Sequence, residues 1–158
     1  MDQKLRYWLM KSEPTDCSVD DLRRAPNRTV TWDGVRNYQA RNFLRDEINI
    51  GDGVLFYHSS VEPVGIAAEA VVVRGGYPDP TAFDPKNEHY DPKSDPAKPA
   101  WYMVDVKFVR ACRKIISLKR LRSVPALQKM LLLRRGQRLS VQPVTAKEWG
   151  AIMKLAEW

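Results

Sequence analysis

A chain of 158 residues, 44% hydrophobic and 28% charged, carries enough apolar material for one domain (1–158) with its own core, which excludes a disordered protein and any need for disulfide or metal staples. It contains no run of about 18 apolar residues, so no membrane partner is expected; its start, Met1-Asp2-Gln3-Lys4, carries charge where a leader needs apolar residues, which reads as cytoplasmic. The net charge of +7 is laid unevenly: Val106 to Lys147 holds twelve Lys and Arg and not one Asp or Glu, a distribution that anticipates a polyanion partner.

Tyr7 to Met10 reads as a short buried strand. Ser18-Val19-Asp20-Asp21 has the form of a capping box, so a helix is expected to run to Arg24, with Pro26 stopping it. Thr29 to Trp32 favours a strand. Beyond Asp33-Gly34, the spacing of Ala40, Phe43, Leu44 and Ile48 predicts a helix capped near Asn37. A turn at 49–53 leads to a strand over Val54–His58, and a second strand is expected over Gly65–Arg74. Residues 77–100 hold six of the eleven prolines and read as a packed loop that serves as a lid. Trp101 to Cys112 is the longest predicted strand, with Tyr102, Val104, Val106 and Phe108 on one face. Two short helices, Ser117–Arg122 and Pro125–Arg134, precede a last strand over Arg138–Val144. Thr145-Ala146-Lys147-Glu148 is a second capping box, opening a helix with Trp149, Ile152 and Met153 on one face. Strands in succession with helices at intervals make an α+β protein, a small, largely antiparallel barrel with peripheral helices.

The chemistry-bearing residues point away from catalysis. There is no glycine-rich phosphate loop, no nucleophile elbow and no Cys/His cluster at metal spacing, so neither metal nor cofactor is expected. Cys17 and Cys112 stand alone. His58 and Ser59 are neighbours on a strand and point to opposite faces, which leaves His58 as a pocket or structural residue more readily than as half of a Ser/His pair. Asp79, Asp84, Asp91 and Asp95 fit no calcium loop and read as turn formers. What remains suits a base pocket. Trp32, Tyr38, Tyr57, Tyr90 and Trp101 fall at element ends or in loops, where rings can stack on bases. Ser12, Asn37, His58, Ser59, Ser140 and Gln142 are available for base edges. Arg110, Arg113, Lys114, Arg134, Arg135 and Arg138, in the acid-free stretch, are candidates for the nucleic-acid backbone. Trp32, before the bend at Asp33-Gly34, is expected to project from the barrel as a reading surface.

Several blocks are recognisable as a set: residues 7–14 (YWLMKSEP), 32–42 (WDGVRNYQARN), 56–59 (FYHS), 77–81 (YPDPT), 101–106 (WYMVDV) and 138–144 (RLSVQPV) closely resemble the EVE domain family, most of all its stand-alone bacterial members. The likeness runs from about Arg6 to the C-terminus. It implies a PUA-like mixed β-barrel related to the YTH domain, which reads N6-methyladenine in an aromatic cage. Lys11-Ser12 and Trp32 sit in places similar to the YTH Lys-Ser pair and first cage tryptophan; Trp101 and Tyr90 compete for the second wall. The expectation is a non-enzymatic binder of a nucleobase, foremost a modified one, in DNA or RNA, with no obligate protein partner. Two other readings stay open: an RNA-binding PUA-type module without modification selectivity, and a small hydrolase acting on modified nucleosides.

Overall fold

β1, Tyr7–Ser12, lies inside the sheet, paired in parallel with β3 (Gly53–His58) and antiparallel with β6 (Val141–Val144). Its unbroken apolar run suits that place, because both faces are covered. Trp8 and Met10 enter one core with Leu22, Leu44 and Phe56, whereas Leu9 enters the other with Leu55, Tyr57, Leu121 and Ile152. A computed structural model describes residues 4–60 and 62–158; residues 1–3, and with them the reading of the N-terminus and the domain's first boundary, lie outside that range.

The remaining strands are β2 (Thr29–Thr31), β4 (Gly65–Pro78) and β5 (Tyr102–Ser117), and the six follow the order β2-β5-β4-β3-β1-β6. Only β1–β3 is parallel, so the sheet is mixed, and β2 and β6 are its edges: it is open rather than closed into a ring. β4 and β5 are the longest strands and change register four times along their pairing, each irregularity bending and twisting the ribbon. Helices cover both faces. α1 (Val19–Arg24) and α2 (Tyr38–Asn42, continued by a π-helical turn Phe43–Glu47) pack on the Trp8 side. α3 (Leu118–Arg122) and α4 (Ala146–Leu155) pack on the Leu9 side. None is long and apolar enough to cross a membrane among the described residues.

Both capping boxes form, Ser18 with Asp21 and Thr145 with Glu148, and Asn37 Oδ1 caps α2 by accepting from Ala40 N at 2.9 Å. Trp149 of α4 stacks on Tyr7 at 4.5 Å, and a Cβ at Gly53 would meet the Trp149 ring at 2.7 Å, so only glycine admits the helix there. The expected helix over Pro125–Arg134 breaks into two 3-10 turns, Pro125–Leu127 and Leu131–Leu133. Leu127, Met130 and Leu132 all reach the core, a spacing that no single helix face supplies, and Met130 is extended between the turns. The last strand begins three residues later than expected, because Gln137 Oε1 caps the Leu139 amide and delays pairing.

Candidate nucleic-acid interface

At the C-terminal ends of β1 and β2 the sheet opens into a hollow of about 1060 Å³. Lys11 and Ser12 close β1 there, Trp32 follows β2, Ser59 follows β3, and Arg138 and Ser140 approach along the lead into β6. The backbone holds these segments together. Ser59 N donates to Ser12 O at 2.9 Å, Lys11 N to Ser140 O at 2.9 Å and Trp32 N to Val104 O at 2.7 Å. Ser12 Oγ donates to the Cys17 carbonyl at 2.7 Å, fixing the turn that leads to α1.

Trp32 does not project from the sheet. It is 8% exposed and meets Phe56 edge-on at 5.6 Å, so most of the ring belongs to the core and only its remaining surface faces the hollow. The opposite rim is His89, whose imidazole lies over Gly34. A Cβ there would meet it at 2.6 Å, and Gly34 has φ +75°, so glycine serves both the turn and the close approach. An ion pair in the proline-rich loop fastens this rim. Asp79, fully buried, accepts from Gly34 N at 2.8 Å, Arg36 Nη1 at 3.0 Å and the Thr81 amide and hydroxyl; Arg36 also donates twice to the His89 carbonyl. Burial alone would raise the Asp79 pKa, yet these hydrogen bonds bring it below the ordinary carboxylate range. The loop is thus tied down as a wall. Asp79, Asp84, Asp91 and Asp95 each accept from the amide two residues on, the turn-forming role expected of them.

Of the expected base-reading residues, Ser12, Trp32, Ser59 and Ser140 meet at the hollow, joined by Arg138 from the cation group. The others lie elsewhere. Asn37 is occupied as the α2 cap. Tyr38, 62% exposed, stacks on Trp101 at 4.8 Å, with Arg36 over Trp101 and Arg41 over Tyr38; Trp101 Nε1 in turn donates to Asp91. This column props up the loop beside the hollow, and neither Trp101 nor the exposed Tyr90 lines it. His58 Nε2 accepts from Val19 N at 3.3 Å, and burial lowers its pKa, keeping the ring neutral. Tyr57 faces the opposite side of the sheet, and Gln142 is buried, donating to Leu139 O at 2.7 Å with its own Oε1 unpaired. Arg110 pairs with Glu69 at 2.8 Å; Arg113 and Lys114 are exposed on β5; Arg134 and Arg135 flank a second, smaller cleft.

Asp33, Arg36 and His89 were not singled out by the sequence, although all three border the hollow; Lys11, which the resemblance placed beside Ser12, borders it too. Burial and the nearby Asp79 raise the Asp33 pKa, opposed by His89 and Arg36; burial lowers that of Lys11. The block 32–37, WDGVRN, held the signal, but which of its side chains turn inward depends on the Gly34 bend. Chemically, the hollow offers two ring systems, the Ser59 and Ser140 hydroxyls, several carboxylates with Asp33 among them, and Arg138, which is in no ion pair among the described residues, a set suited to grasping a planar heterocycle.

The family model of the EVE domain matches residues 6–155. The chain belongs to the EVE domain family. This EVE domain is 44% identical over 168 residues to human Thymocyte nuclear protein 1, covering 96% of the present chain and 74% of the human one. Among solved structures it matches a hypothetical protein from Leishmania major with a TM-score of 0.90 and 48% identity, covering 96% of this chain and 94% of that one. It matches the human THYN1 protein in complex with 5-methylcytosine-containing DNA with a TM-score of 0.89 and 42% identity, covering 95% and 96%. The six-stranded mixed sheet is therefore the EVE-type, PUA-like fold that the resemblance implied, with the sheet left open between β2 and β6 rather than closed into the expected barrel.

Proposed function

We propose that this EVE domain binds a modified nucleobase in nucleic acid, with 5-methylcytosine in DNA the first candidate, and that it does so without covalent chemistry. The carrying observation is the Trp32-floored hollow in a chain that matches the human THYN1 protein, a complex with 5-methylcytosine-containing DNA, over 95% of its length. A base entering the hollow meets Trp32 and His89 as apolar walls and Asp33, Ser59 and Ser140 as edge partners. An acceptor such as Asp33 suits the exocyclic amino group of cytosine. His58 supports the absence of catalysis, because its ring is already engaged by the Val19 amide. A paired base must first leave the duplex, at a cost of a few kcal/mol, so single strands should bind more tightly than duplexes.

Fluorescence anisotropy tests this with single-stranded oligonucleotides differing only in one 5-methyl group, at one stated salt concentration. Burying a methyl contributes about 0.8 kcal/mol, so the methylated strand should bind about fourfold more tightly. Equal affinity for both strands, together with equal affinity for an N6-methyladenine strand and its plain counterpart, would refute modified-base selectivity and leave a general nucleic-acid binder.

A further inference from the structure

On the sheet face opposite the hollow, a second cleft of about 390 Å³ is lined by Lys11, Tyr57, Arg122, Arg134, Arg135 and Gln137 among others, and by no carboxylate among the described residues. Its four cations make no ion pair and no side-chain hydrogen bond among the described residues. The Glu62 carboxylate is felt at Tyr57 but forms no ion pair with these cations among the described residues, and like charges left unpaired repel one another, a repulsion that an anion between them relieves. The Tyr57 phenol, whose pKa burial raises against the opposing pull of Arg122, adds a donor.

Two parts of the chain border both the cleft and the base hollow. Lys11 borders both, lying in register with Tyr57 while its neighbour Ser12 lines the hollow. The segment 134–140 also spans them: Arg134, Arg135 and Gln137 line the cleft, and Arg138 and Ser140 line the hollow. A chain whose base enters one face at this end of the sheet thus has cations waiting on the other.

We propose that this cleft is a phosphate subsite, holding a phosphate attached to the nucleoside whose base occupies the hollow. This rests on the base-binding reading and deepens it. Guanidinium groups suit the role because their fixed donors match phosphate oxygens in pairs. A base-and-phosphate grip would make the preferred ligand a nucleotide within a strand rather than a free nucleoside.

Titration calorimetry on the full chain provides the test, with 5-methyl-2′-deoxycytidine, its 5′- and 3′-monophosphates, and inorganic phosphate alone, all at one ionic strength. At least one monophosphate should bind about tenfold more tightly than the nucleoside. Arg134→Ala/Arg135→Ala should erase that gain and leave nucleoside affinity unchanged, with an unaltered melting temperature showing that the fold is intact. Inorganic phosphate should compete with the better monophosphate but not with the nucleoside. A nucleoside that binds as tightly as both monophosphates, or a gain that survives in the double variant, overturns the cleft while sparing the base reading. If neither the nucleoside nor a monophosphate binds, both fall together.

Discussion

Trp32 serves the core and the hollow at once, and its substitutions should separate the two. Removing a large ring that is 8% exposed leaves a cavity against Phe56, so Trp32→Ala should cost about 3–5 kcal/mol of stability. Trp32→Phe keeps an apolar filler and should fold, but lose about fivefold in affinity for the modified strand, the low end of what one stacking face supplies. Thermal melts beside anisotropy measurements decide this; a Trp32→Phe protein binding as tightly as wild type would mean that the ring only fills the core. Asp79 has a different signature. Its folded-state pKa lies below the ordinary 3.8, so its stabilisation is complete above that value and is lost as pH falls through the lowered one. Below about pH 4 the wild-type melting temperature should fall more steeply than that of Asp79→Asn, which has no such charge to lose. Parallel curves would show that the Arg36 pair contributes nothing beyond its neutral hydrogen bonds.

Elements come next, and the proline-rich loop is the instructive one. Six prolines mark residues 77–100 as irregular, and four aspartate turns with the Arg36–Asp79 pair make it a fixed wall. Gly34→Ala places a methyl against His89 at a positive φ, so it should displace this wall, raise protease cleavage between residues 84 and 95, and weaken base binding. Unchanged cleavage and affinity would show that the rim yields without consequence. Elsewhere, local signals carried the helices. Both capping boxes were legible because each is a contact over three residues, and Thr145→Ala should cost about 1 kcal/mol while leaving oligonucleotide affinity alone. The stretch 125–134 misled because its apolar residues suit a helix by composition, whereas the core takes Leu127, Met130 and Leu132 at a spacing no helix offers.

For the whole molecule, charge decides how affinity responds to salt. Arg138 at the hollow is in no ion pair among the described residues, so Arg138→Ala should weaken modified and plain strands alike and reduce the slope of log K against log salt by about one. Arg110 already has Glu69 at 2.8 Å, and its removal should change that slope less. A slope unaffected by Arg138→Ala would mean that the acid-free stretch only solvates the surface.

The sequence by itself determined the family, the order of strands and helices, the caps and the uneven charge, because each rests on residues a few positions apart or on blocks that keep their order. It also named Ser12, Trp32, Ser59, Ser140 and Arg138, which meet at the hollow. Only the tertiary structure decided that Tyr38 and Trp101 stack on each other and that Gln142 is buried. It alone brought His89 over Gly34 and set Lys11 between two cavities. The physical reason is that where an aromatic or polar side chain ends up depends on what faces it across the sheet, and those partners are 39 residues away for His58 and Val19 and 45 for Gly34 and Asp79, beyond the reach of any local pattern.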